Sequence, residues 1–143
     1  MTLRDFAAQL KSSPKRVIAT IVQAVGTASL IAEDQVRRNL RGRVLQRRSG
    51  TLDRTLKTRL TGSGRRVAAV LSVGSPSVPY ARIHEEGGTI LPKRGKHLHF
   101  KGSRGWAKVT KVTIPRRPSL GPAVAAGNAW LQANLARVVG EAV

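Results

Sequence analysis

The chain has 143 residues, 41% of them hydrophobic, so it is sized for one folded domain and too apolar for a disordered tail. It carries 26 Lys and Arg against 7 Asp and Glu, a formal net charge of +19. A compact body with that balance repels itself unless DNA, RNA, an anionic membrane or an acidic protein surface lies close. The absence of cysteine excludes disulfides, thiolate metal centres and thiol catalysis. Residues 1–9 include Asp5 and no apolar run of signal-peptide length, and no stretch approaches the roughly 18–20 uninterrupted apolar residues that cross a bilayer. The expectation is a soluble protein made in a cytoplasm, with no membrane partner.

In chain order, Thr2 can cap a short helix over 3–11, and Ser13-Pro14 reads as an N-cap with proline in the first turn of a second helix. Ile18, Ile21, Val22, Val25, Ala28, Ala32, Val36 and Leu40 recur at three- and four-residue steps. That single apolar stripe predicts a long helix to about Arg48, with Gly26 inside it at a cost in propensity and Ser49-Gly50 to stop it. Residues 51–60 are ambiguous between helix and strand. Gly62-Ser63-Gly64 marks a turn and 66–73 reads as a strand, which together suggest a β-hairpin. Residues 80–86 form a short helix after Pro79, closed by Gly87-Gly88. Three short strands follow over 89–91, 97–100 and 108–114, and a last helix runs from 120 to about 139. The expected fold is α+β: a long N-terminal helix and a C-terminal helix packed on a mainly antiparallel sheet, with one short helix in the middle, all in a single domain over 1–143.

The charge is uneven. Residues 37–66 hold eleven basic residues and one acid, and residues 82–117 hold ten and two. Arg37, Arg38, Arg41, Arg43, Arg47 and Arg48 fall at the end of the predicted long helix, where cations suit the helix dipole. They are the expected contact for DNA or an acidic partner; the competing reading is a solvated basic face.

Catalytic and metal chemistry find little support. Glu85 and Glu86 are adjacent and would diverge on a helix. His97 and His99 could share a strand face, but no cysteine and few carboxylates stand by to complete a metal shell. Gly62-Ser63-Gly64-Arg65 lacks the phosphate-loop lysine, and Gly102-Ser103-Arg104-Gly105 is a flexible basic loop. Tyr80, Trp106 and Trp130 are expected to serve packing, although Trp106 beside a basic loop could stack on a base. No enzyme activity, metal or cofactor is expected.

Two motifs carry a resemblance. Tyr80-Ala81-Arg82-Ile83-His84-Glu85-Glu86-Gly87-Gly88-Thr89-Ile90 is followed by Ile114-Pro115-Arg116-Arg117-Pro118-Ser119-Leu120-Gly121-Pro122-Ala123. In that order, with helices outside them, they resemble the phage virion-morphogenesis and minor tail-component proteins, a group that includes tail-completion and head–tail joining proteins. Ser49-Gly50-Thr51-Leu52 is similar to a Thr-Gly-x-Leu element of that group with its first two positions reversed. Ser119 stands where the group usually has a large aromatic residue, a departure that implies different local packing over residues 118–120. The likeness spans roughly residues 14–140.

The resemblance implies a small subunit of the virion, at the neck or the end of a tail. It would oligomerise as a ring, contact other neck or tail proteins and surround the double-stranded DNA channel. The motif residues Tyr80, His84, Arg116, Arg117 and Leu120 are then the candidate subunit interface. The alternative, drawn from charge alone, is an independent basic nucleic-acid-binding module, although no helix-turn-helix, zinc-finger or RNA-recognition signature accompanies it.

Overall fold

A computed structural model describes residues 4, 7–8, 14–45, 50–63, 66–78, 80–102 and 104–142. The expected first helix lies largely outside the described residues, as do the proposed caps Thr2 and Ser13, Arg47 and Arg48. The chain divides into two compact units, Met1–Val73 with Ser119–Val143, and Gly74–Pro118.

The first unit is built on α1, Pro14–Arg38. Its buried positions Val17, Ala24, Ala28, Ala32 and Val36 follow the helical repeat of the sequence stripe. The helix stops ten residues before the expected end. A π turn, Asn39–Arg43, follows it, and Gly42 leaves helical geometry at φ +137°. The Asn39 carbonyl accepts both Val44 N–H (3.1 Å) and Leu45 N–H (3.0 Å), which closes the end. Gly42 is the legible stop, since that backbone conformation strongly favours glycine. Gly50, also left-handed at φ +69°, starts the single turn α2, Thr51–Arg54. The hairpin β1 (Lys57–Ser63) and β2 (Arg66–Ser72) follows as expected, in register from Lys57↔Ser72 to Ser63↔Arg66. Residues 51–60 are thus helix and then strand in succession.

The last helix, α4 (Leu120–Ala142), lies chiefly against α1 rather than on a sheet. Gly127 permits the approach: a Cβ there would sit 2.6 Å from the Ala28 carbonyl oxygen and 3.1 Å from the Ala32 Cβ. The hairpin covers another part of α1. Val36, Leu40, Leu45, Leu56 and Ala123 form the core, with Val44, Leu52, Leu71, Val73 and Leu120 packed around it. Length and hydropathy alone would let 14–42 cross a bilayer, but its buried stripe is already occupied by α4 and the hairpin. At Gly26 nothing requires glycine, because a Cβ would meet only Leu60 at an ordinary 4.0 Å.

The second unit contains α3 (Tyr80–Glu86), β3 (Gly88–Ile90), β4 (Leu98–Gly102), β5 (Gly105–Val109) and β6 (Val112–Ile114). The expected strand 108–114 is two strands, broken at Thr110-Lys111. The pairs β1–β2, β3–β6 and β4–β5 are all antiparallel, as expected, but they are three separate two-stranded ribbons among the described residues. The arrangement is α+β.

Candidate assembly surfaces

The arginines at the end of α1 are largely matched by the protein's own acids. Arg37 bridges Glu33 (2.8 Å) and Asp53 (3.1 Å), Arg41 reaches the other Asp53 oxygen (3.0 Å), and Arg38 pairs with Asp34 (2.6 Å). Asp53 is buried, so the two arginines tie α2 to the end of α1. Glu33 also accepts a 2.7 Å hydrogen bond from Thr58, which fixes the hairpin to the same helix. The Arg37 hydrogen bond, with that of Thr58, holds the Glu33 carboxyl below its ordinary range. Conversely, Glu33 raises the Arg37 guanidinium. Arg37, Arg38 and Arg41, expected to face a polyanion, each have a carboxylate of the same chain within bonding distance; Arg37 and Arg41 share the buried Asp53, whereas the Arg38–Asp34 pair is exposed. Arg43 belongs to the π turn, and Arg47 and Arg48 lie outside the described residues.

The two sequence motifs fold onto one another. β3 pairs with β6 through Gly88↔Ile114, Thr89↔Thr113 and Ile90↔Val112. At the end of α3, the His84 carbonyl accepts the Arg117 N–H (2.8 Å) and the Glu85 carbonyl accepts Nε of Arg116 (3.1 Å). These contacts satisfy carbonyls that a helix end leaves without internal partners. Gly87 is left-handed at φ +72°, and a Cβ on it would lie 2.9 Å from the Arg116 nitrogen and 3.2 Å from the Ile114 carbonyl oxygen. A stop signal explains Gly87 only in part, since the second motif also passes directly over it.

Tyr80 is 42% exposed rather than a core aromatic, and its ring meets that of His84 edge-on at 6.3 Å. The two are one turn apart on α3 and remain together as a candidate contact. His84 Nδ1 is buried without a hydrogen-bond partner. Arg116 and Arg117 are exposed and have no carboxylate partner among the described residues. Leu120, the fifth candidate, is partly buried against the core of the first unit. Ser119 is 1% exposed, and its carbonyl accepts Nδ2 of the buried Asn39 at 2.9 Å while Gln35 donates to the Asn39 side-chain oxygen at 3.0 Å. A small side chain fits that enclosed position.

The β4–β5 ribbon is more prominent in the structure than its sequence suggests. Its register is Leu98↔Val109, His99↔Lys108, Phe100↔Ala107, Lys101↔Trp106 and Gly102↔Gly105. Directly paired residues share a face, so His99, Lys108, Lys101 and Trp106 form one face and Leu98, Phe100, Ala107 and Val109 the other. Trp106 is 78% exposed, against the expectation that it serves the fold. His97 precedes the strand and does not share its ladder with His99. Among the described residues no group of three or more His, Asp or Glu is placed to hold a metal. The readable signal for the ribbon is the alternation from Leu98 to Lys101, repeated after a Gly-bounded turn at Trp106 to Val109.

In the first unit an apolar cleft of about 350 Å³ opens between α1, β2 and α4, lined by residues that include Val25, Ala28, Val67, Leu71, Val124 and Leu131. Leu60, Val70, Val124 and Leu135 are exposed on that unit.

No curated protein and no solved structure matches the chain. A sequence model of the phage virion morphogenesis family does match, over residues 1–131, which takes in both motifs. Membership brings a role in building the phage virion and contact with other virion proteins. The chain belongs to the phage virion morphogenesis family.

Proposed function

We propose that the protein is a non-enzymatic structural subunit of the head–tail junction or tail end, acting in tail completion or at the neck. It assembles in the host cytoplasm as an oligomeric ring around the channel for double-stranded DNA and needs no cofactor. The observation that carries this reading is the interlock of the two family motifs. The helix bearing Tyr80 and His84 is fixed to Arg116 and Arg117 through two carbonyl hydrogen bonds and the close approach at Gly87. Such a rigid, partly exposed element suits a contact repeated from copy to copy. Exposed Leu60, Val70 and Val124 supply apolar area for the same purpose. A formal charge of +19 per copy opposes self-association, and a threaded polyanion or acidic neighbours relieve it.

Electron microscopy of particles from a phage lacking the gene tests the reading. Filled heads apart from complete tails place the protein at the junction, and tails of abnormal length or with ragged ends place it at tail termination. Normal joined particles would overturn the structural role and favour the independent nucleic-acid-binding module.

A further inference from the structure

We infer that the cationic face of the β4–β5 ribbon is a surface that binds the phosphate backbone of duplex DNA. The inference rests on the channel reading above and names the part of the chain that meets the channel's contents.

Charge accounting gives the first argument. The second unit contains ten Lys and Arg. Only Arg82 is ion-paired, to Glu86 at 3.0 Å; among the described residues the other nine have no carboxylate partner. Arg37, Arg38 and Arg41 of the first unit are paired instead. A phosphate approaching the ribbon therefore displaces only water and counter-ions, whereas one approaching Arg37 or Arg41 must compete with the buried Asp53.

Shape gives the second. Each strand has five residues, so the ribbon is about 17 Å long at roughly 3.4 Å per residue. Apart from its own partner strand, no described element packs substantially against either strand. A two-stranded ribbon alone in water is marginally stable, so a bound surface would steady it. It is also one of the two elements that the roughly 12 Å major groove admits.

Residue chemistry decides the kind of partner. Five of the seven cations from Lys93 to Lys111 are lysines. Lysine is depleted in protein–protein interfaces, yet it serves phosphate well as a point charge. Lysines on a free strand can instead serve to block edge-to-edge pairing. That role leaves unexplained why Trp106, 78% exposed, stands directly across from Lys101. Trp106 presents an apolar ring and a single N–H donor, which suits a sugar–phosphate edge. Lys101, Lys108 and Arg104 at the turn would make phosphate contacts, so binding should be independent of sequence.

The test compares two full-length variants with equal loss of charge. One is Lys101→Gln/Arg104→Gln/Lys108→Gln on the ribbon. The other is Lys57→Gln/Arg59→Gln/Arg66→Gln on the outer face of the β1–β2 hairpin. Affinity for a random-sequence duplex is measured from 50 to 200 mM salt, after circular dichroism has shown both variants folded. The ribbon variant should flatten the slope of log K against log salt by about three, near one for each phosphate that is no longer neutralised, and the hairpin variant should leave it close to the parent's. In a Trp130→Phe background, Trp106 fluorescence should change on binding. Equal flattening in both variants, or none in the ribbon variant, overturns the inference. So does a ribbon variant that keeps its slope but no longer enters particles, which would assign the face to an acidic protein. None of these outcomes alters the gene-deletion phenotype, which tests the structural role separately.

Discussion

The two units of this chain solve the same problem of positive charge in opposite ways. In the helical unit, Glu33, Asp34 and Asp53 stand within 3.1 Å of Arg37, Arg38 and Arg41, and the two pairs of Asp53 tie α2 to the end of α1 over a core of Val36, Leu40, Leu45, Leu56 and Ala123. In the second unit, two acids stand among ten basic residues, and the buried hydrophobic positions reduce to Val78 and Ala81 among the described residues. The first unit uses three of its arginines to hold itself together, and the second leaves all its cations but Arg82 without a carboxylate partner among the described residues. Stability should therefore respond to substitutions in the first, and binding to substitutions in the second.

The largest break in that comparison is expected at Gly127. A Cβ there overlaps the Ala28 carbonyl oxygen at 2.6 Å, and backbone in the middle of a helix cannot yield as a side-chain end would. Gly127→Val should separate α1 from α4 at a cost of about 3 kcal/mol, the upper end for overpacking. Urea unfolding followed by far-ultraviolet circular dichroism would measure it. Next comes Asn39→Ala. It removes the donor to the enclosed Ser119 carbonyl and the acceptor of Gln35, and should cost about 2 kcal/mol. Arg38→Ala, in an exposed pair on the same helix, should stay within about 0.5 kcal/mol.

What the sequence makes legible follows the same division. The α1 stripe, the hairpin turn at Gly62 and the helix Tyr80–Glu86 each rest on a local pattern, and each forms where that pattern places it. The apolar stripe misplaces the end of α1 because it continues past Gly42, whose backbone need outweighs continuing amphipathicity. The packing of α4 on α1 turns on Gly127, which reads as one more small residue until its neighbour across the helix is known. The arginine surface misleads for a similar reason. Pairing of Arg37 with Glu33 is an i,i+4 relation visible in the sequence, but pairing with Asp53 depends on a turn sixteen residues on. Trp106 reads as a packing residue because aromatics usually pack, and only the ribbon's isolation shows otherwise.

An effect between those of Asn39 and Arg38 is expected at Gly87→Ala. The left-handed backbone at φ +72° and the nearby Arg116 nitrogen both resist a methyl group, for about 1–2 kcal/mol. The loss should stay within the second unit. Hydrogen exchange should accelerate at the β3–β6 amides, at Ile90 and Val112 for instance, while the amides of α1 keep their protection. Equal acceleration in α1 would mean that the two units unfold as one, and the contrast between them would apply to charge alone.

A small effect that depends on pH is the acid response of Glu33. Its carboxyl is held below the ordinary value of 4.5 by Arg37 and then Thr58, so the folded state favours the ionised form more than the unfolded chain does. The resulting stabilisation is complete well above pH 4.5 and disappears as pH falls through the lower folded-state value. Glu33→Gln should be less stable than the parent at pH 7, and the gap should narrow as the pH is lowered below 4.5. The side chain is partly exposed, so the difference should stay under about 1 kcal/mol and shrink in high salt. A gap that persists unchanged at pH 3 would show that Glu33 contributes through its shape and its Thr58 hydrogen bond rather than its charge. The ion-paired character of the helical unit would then rest on Asp53 and its two arginines.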